Sequence, residues 1–322
     1  MDLCGDDIDA LAQTVVDNLD AVAAAGQQAL IVFPQGINLP PTWLDECETF
    51  ELATANFSGT TCVPWDASYQ ASLETAVQTL GTAISGHAAL AGVYFTISSM
   101  TNGSELHWRV SRDAMPNYPG DEAFRQAYRD VMDVFQLAFD EPVVFEAGHC
   151  VWDEDPDCEL PTLLYRHSRD TYGVGHSGIA IWNCAERFWA GNSGGAETFG
   201  VKGLLEEASS DGASFGCQTV GSFTNGACRF TDDEVGDYGP SEGLMGDNCP
   251  EHPSFDPAGA CLDTMRWVAG VEAQATDSAQ VTGTWLENWS AEFREGGVYT
   301  TDESCRAAID AFAAPQSRRT GR

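Results

Sequence analysis

The feature that most constrains this chain is a regular alternation of amphipathic helical patterns with short apolar runs. Asp7–Ala25 sets Ile8, Leu11, Val15, Leu19 and Val22 on one stripe, and Gly26 stops it. Ala29–Phe33 (ALIVF) then reads as a strand buried on both faces. The same pair of signals recurs. Helical patterns cover Ser68–Ile84, Asp121–Phe139, Leu160–Tyr172, Thr198–Ser209 and Pro257–Ala275. Strand patterns follow them at Leu90–Ile97, Pro142–Phe145, Gly178–Trp182, Ala213–Val220 and Val281–Leu286, and Ser304–Phe312 closes as a helix. Such alternation gives a parallel sheet covered by helices.

Two architectures satisfy it, a doubly wound sheet and an eight-stranded barrel. No Gly-rich phosphate loop follows the first strand, which removes the main sign of a nucleotide-binding sheet. The long segments rich in Trp, Gly and Asp all come after strands, at 34–66, 98–120, 146–159, 183–197, 221–256 and 287–301, whereas the segments before strands are tight. In a barrel that asymmetry puts every elaborated loop on the C-terminal face, where barrel enzymes keep their sites. The expected fold is therefore α/β, a (β/α) barrel of TIM type forming a single domain over residues 1–314. A basic disordered tail over 315–322 follows. Six strands with a helix in front match strands three to eight, so the barrel reads as incomplete, with Met1 an internal start.

The 11 cysteines show no CxxC pair, against zinc ribbons and redox dithiols. Cys47 and Cys62, Cys150 and Cys158, Cys217 and Cys228, and Cys249 and Cys261 are near neighbours across loops, and read as four local disulfides. Cys4, Cys184 and Cys305 are left over, and the odd count implies one free thiol or an outside partner. Disulfides imply an oxidising, secreted or periplasmic location. Residues 1–25 lack a basic n-region and carry Asp9, Asp17 and Asp20, so the expectation is a leader already cleaved or lying upstream. The chain has 49 Asp+Glu against 15 Lys+Arg, a net charge of −34. Such a surface repels phosphate backbones and anionic membranes, which excludes nucleic acid as a partner. No 18-residue apolar run exists to span a bilayer.

Chemistry is expected at carboxylates near strand ends. Glu105 follows one strand, Glu146 ends the next, and Glu287 ends the last. Glycoside hydrolysis needs two carboxyl groups facing each other across a bond. Among 49 acidic residues some fall near strand ends by chance, so the set weighs more than any member. Trp43, Trp65, Trp108, Trp152, Trp182, Trp189, Trp285 and Trp289 lie in or beside post-strand segments, and flat rings match the apolar face of a sugar. Core packing is the competing role for each. Trp182 with Asn183 after it, Gln218, Trp285 and Trp289 are the substrate-binding candidates, with His107 two residues from Glu105. The six histidines make no metal pattern, and no metal or cofactor is expected in the reaction. Asp153, Asp155 and Asp157 offer oxygen ligands for a structural calcium, though without EF-hand spacing.

LDAVAAAGQQALIVF, PPTWL, VPWDASYQASLETAVQTLGTAI and LAGVYFTI, ending near Glu105, resemble the clan A glycoside hydrolases, notably barrels of the β-galactosidase and cellulase types. The likeness covers residues 7 to about 110 and continues weakly to Glu287. It implies a carbohydrate substrate with a β linkage. It makes Ala29–Phe33 the third barrel strand and Leu90–Ile97 the fourth, and sets Glu105 near the acid/base position, in a longer loop and without the usual preceding Asn. The family's nucleophile ends the seventh strand, here Ala213–Val220, which offers Gln218. An amide cannot form a glycosyl-enzyme ester. Either Glu287 serves as the partner carboxylate, or the barrel binds carbohydrate without cleaving it.

Overall fold

The computed structural model describes residues 7–33, 36–53, 58–99, 106, 108, 110–147, 151–152, 159–182, 201–219, 281–286 and 302–307. The chain divides into two compact units, Met1–Ala180 with Glu197–Ser214, and Ile181–Ala196 with Phe215–Arg322.

In the first unit α1 (Ile8–Ala24) starts where the Asp7 carboxylate accepts from Ala10 N at 3.0 Å. It ends beside Gly26, whose φ of +69° is open to glycine at little cost. Ala12, Val15 and Leu19 are its buried stripe, and each large side chain so buried contributes about 1.5–3 kcal/mol. Next come β1 (Ala29–Val32), α2 (Pro41–Glu46), β2 (Thr49–Ala53) and β3 (Ser58–Cys62). The remaining elements are α3 (Ala67–Ile84), β4 (Leu90–Tyr94), α4 (Asp121–Ala138), β5 (Val143–Ala147), α5 (Leu160–Tyr172), β6 (Ser177–Trp182) and α6 (Val201–Asp211). Asp66 caps α3 by accepting from Tyr69 N at 2.9 Å, which explains the spacing of the WDASY motif.

The strands β1, β4, β5 and β6 form a parallel sheet in that order, with Ala29 opposite Leu90 and Val93 opposite Val143. The order runs one way along the chain, with none of the reversal that marks a doubly wound sheet. Right-handed crossovers then put every connecting helix on one face. The helices pack accordingly, α1 on α3, α3 on α4, α4 on α5 and α5 on α6. This winding is the one a barrel uses, but the described residues show a four-stranded sheet and not a closed barrel. No helix among them is long and apolar enough to cross a membrane.

Side-chain alternation separates the two sheet faces. Phe95 meets Tyr128 and Phe135 of α4 at 6.4 and 5.7 Å between ring centroids, and Phe33 meets Phe135 and Phe139 at 6.4 and 6.3 Å. These residues face the helices. On the opposite face a Cβ at Gly92 would touch Leu30 and Val144, and one at Gly178 would lie 2.7 Å from Val144. Two residues further along that face stand Tyr94 and Glu146.

Residues 34–66 differ from the loop expected of them. They hold α2 and the antiparallel pair of β2 with β3, in which Thr49 faces Cys62. A predicted disulfide, Cys47–Cys62, ties this hairpin down, with Cα atoms 5.8 Å apart. The strand SGTTC has no apolar run to announce it; Leu52, 1% exposed, is the hairpin's main apolar anchor. In the second unit β7 (Ser214–Thr219) and β8 (Val281–Leu286) pair in parallel. Residues 303–307 form a turn of helix, and Cys305 within it is buried and disulfide-bonded, so it is not the spare thiol. The other three predicted pairings, the helix over 257–275 and the tail over 315–322 lie outside the described residues.

Candidate functional site at the strand ends

The C-terminal ends of β4 and β5 carry a dense set of buried polar groups. Thr61, Thr96, Ser98, Ser99 and Glu146 are all between 0% and 1% exposed. Ser98 is the hub. Its hydroxyl lies 2.9 Å from Thr61 Oγ1 and donates to the Cys62 carbonyl, and its amide donates to Tyr69 Oη at 2.5 Å. Thr61 also donates to the Gly36 carbonyl at 2.6 Å. The hairpin, the helix α3 and the end of β4 thus meet at one serine. Burial pushes the Tyr69 phenol well above its ordinary range, so it stays neutral and keeps this role at any ordinary pH.

Two described residues after β4, Leu106 and Trp108, meet residues at and after the end of β5. Leu106 N donates to Glu146 Oε2 at 3.2 Å, and Trp108 N donates to the Val151 carbonyl at 2.9 Å. Trp108 and Trp152 stack with centroids 6.5 Å apart, and Trp108 Nε1 donates to Tyr128 Oη at 3.1 Å. Phe50 of the hairpin meets Trp108 edge-on at 6.1 Å. Trp65 packs on Tyr118 and Phe124, and Trp43 on Tyr69. Trp108 and Trp152, at 0% and 2% exposed, are therefore core residues that hold the post-strand segments together. Of the two roles weighed for each tryptophan, core packing or a face for sugar, these two take core packing.

Glu146, one of the three strand-end carboxylates, sits on β5 as its sequence position suggests. Gln218 of β7 and Trp285 of β8 are register partners, so two substrate-binding candidates are neighbours in the second unit. Trp182 ends β6. Glu105, His107, Asn183, Glu287 and Trp289 lie outside the described residues, as do Asp153, Asp155 and Asp157. Among the described residues no group of three or more His, Cys, Asp or Glu side chains is placed to hold a metal. Thr96, Ser98 and Tyr69 had not been singled out. Their signal was the switch from VYF to TISS, where polar residues enter a run still buried throughout. No protein-family model, curated protein or solved structure matches the chain.

Proposed function

We propose that the chain is an exported O-glycosyl hydrolase that cleaves a β-linked oligo- or polysaccharide by a two-carboxylate mechanism. One observation carries the reading. Glu146, 1% exposed, is a carboxylate withdrawn from water at the C-terminal end of a middle strand, in a parallel sheet wound one way. Barrel enzymes keep their chemistry at that end. Glu105, the residue before Leu106, is the general acid/base, near the position that the family resemblance implies, and Glu287, at the end of the last strand, serves as the partner carboxylate in place of a nucleophile on the seventh. The Cys47–Cys62 disulfide and the bonded Cys305 favour an oxidising compartment.

A panel of aryl β-glycosides with wild type, Glu105→Gln and Glu287→Gln tests this. Wild type should hydrolyse at least one glycoside, and each variant should lose about 100-fold or more. Variants as active as wild type would remove those residues from the mechanism. A wild type that cleaves none would leave a second reading, a barrel that binds carbohydrate without catalysis. Gln218 favours it, an amide in register with Trp285 on the strand where the hydrolases that the chain resembles carry a nucleophile. Calorimetric binding of oligosaccharides without turnover would identify that case.

A further inference from the structure

We propose that Glu146 is a positioning residue for Glu105, an inference that rests on the glycosidase reading above. Glu146 is 1% exposed, on a strand buried along its whole length, so it acts through the protein and not on a sugar. Its Oε2 accepts from Leu106 N at 3.2 Å. Glu146 makes other contacts too, and this one reaches the segment that carries Glu105. The peptide group joining Glu105 to Leu106 is planar, so the Cα of Glu105 shares a plane with that N–H. A bond on the N–H therefore fixes the base from which the Glu105 side chain starts.

The chain is anchored again two residues on. Trp108 donates from its backbone N to the Val151 carbonyl at 2.9 Å and from Nε1 to Tyr128 Oη at 3.1 Å. Leu106 and Trp108 are both 0% exposed. These anchors lead to β5, to the residues that follow it and to α4, so the sheet and its helix set where this stretch of chain lies. An ionised carboxylate suits the role, because a charged acceptor holds an N–H about twice as strongly as a neutral one. The need is real for an acid that follows its strand at a distance. A misplacement of about 1 Å can cost a catalytic group about 100-fold in rate.

The test measures kcat/KM on a phenyl and a dinitrophenyl β-glycoside for wild type, Glu146→Gln, Glu146→Met, Glu105→Gln and the double variant Glu105→Gln, Glu146→Met. Phenoxide needs a proton to leave and dinitrophenolate does not, so a misplaced acid shows on the phenyl glycoside alone. Glu146→Met deletes the acceptor and should lose about tenfold or more on that substrate, with little change on the other. Glu146→Gln keeps a carbonyl oxygen for Leu106 N and should recover most of the loss. The double variant should lose no more than Glu105→Gln alone, because the two residues act as a unit. Undiminished activity of Glu146→Met on the phenyl glycoside overturns the proposal. So do equal losses on both glycosides, which would assign Glu146 to the fold alone, and additive losses in the double variant. A Glu146→Gln variant as impaired as Glu105→Gln also overturns it, and would make Glu146 a reacting group itself. If Glu146→Met does not fold, Glu146→Gln decides alone by that last criterion. A wild type that cleaves neither glycoside overturns the glycosidase reading, which every other result leaves standing.

Discussion

Two neighbouring helix pairs do the same architectural job by different physics. α3 packs on α4 through shape. Leu73, Val77, Leu80 and Ile84 of one helix and Phe124, Val131, Met132 and Phe135 of the other are buried. At Gly81 the two chains approach so closely that a Cβ would lie 2.4 Å from the Ala138 carbonyl oxygen. α5 and α6 add charge to a smaller apolar base of Leu164, Leu204, Leu205 and Ala208. Arg166 grips Glu207 through Nε and Nη2, at 3.0 and 2.7 Å. Arg169 Nη1 donates to Glu207 at 2.6 Å and to Asp211 at 2.9 Å, and the Tyr165 hydroxyl donates to Asp211 at 2.9 Å. Packing by shape is indifferent to pH and salt, whereas packing by charge responds to both. In a chain of net charge −34, arginines placed between acids keep two helices from repelling each other.

The largest effect belongs to the shape side. Gly81→Ala should lower stability by about 3 kcal/mol or more, at or beyond the upper end for overpacking, because the clash is with backbone. Intrinsic helix propensity favours alanine by about 1 kcal/mol, so the two effects have opposite signs. A fall in the denaturant midpoint is expected. An unchanged or higher midpoint would show that α3 and α4 slide apart freely, and would break the contrast.

This contrast was only half legible in the sequence. The 3.6-residue stripes and the short apolar runs located the helices and strands, and α5 has the bounds its pattern implied, Leu160–Tyr172. Those signals are local. The hairpin of β2 and β3 was missed because β3, SGTTC, has no apolar run, although the Cys47–Cys62 link that closes it was legible. The Arg169–Glu207 pair spans 38 residues, and each partner alone reads as a solvated helix face. Nothing local marks Gly81 inside its helical pattern, since the Ala138 carbonyl that requires it lies 57 residues on. In the candidate site Glu146 was visible as a strand-end acid. Thr96 was not, because a polar residue just past an apolar run reads as the start of an exposed loop, and here it is fully buried.

Acid should separate the pairs next. The Arg166 guanidinium, then Arg169, holds the Glu207 carboxyl below its ordinary pKa, and Arg169 with the Tyr165 hydroxyl does the same for Asp211. A depressed folded-state pKa means stability present above the usual carboxylate range of about 3.9–4.3 and lost as pH falls through the folded value. The double variant Glu207→Gln, Asp211→Asn should unfold below wild type at pH 7. That gap should close between about pH 5 and pH 2. The gap for Gly81→Ala should stay constant over the same range. Parallel pH curves for both variants would mean that the α5–α6 contact is also one of shape.

Salt gives the smallest and most discriminating effect. Self-repulsion at a net charge of −34 destabilises the compact state, and added salt screens it, so the unfolding temperature of wild type should rise with ionic strength. The Arg169–Glu207 attraction is screened by the same ions, because the Debye length falls from about 10 Å at 0.1 M to about 3 Å at 1 M. A double-mutant cycle with Arg169→Gln and Glu207→Gln isolates that attraction from the global charge. Its coupling energy should shrink as whole-protein stability grows. Opposite trends in one salt series would identify the network as electrostatic glue inside a self-repelling chain. A coupling that holds steady or rises with salt would assign the contact to the stacking of Arg169 over the Tyr165 ring, whose centroid is 5.5 Å from the guanidinium carbon, and to the apolar residues beneath it.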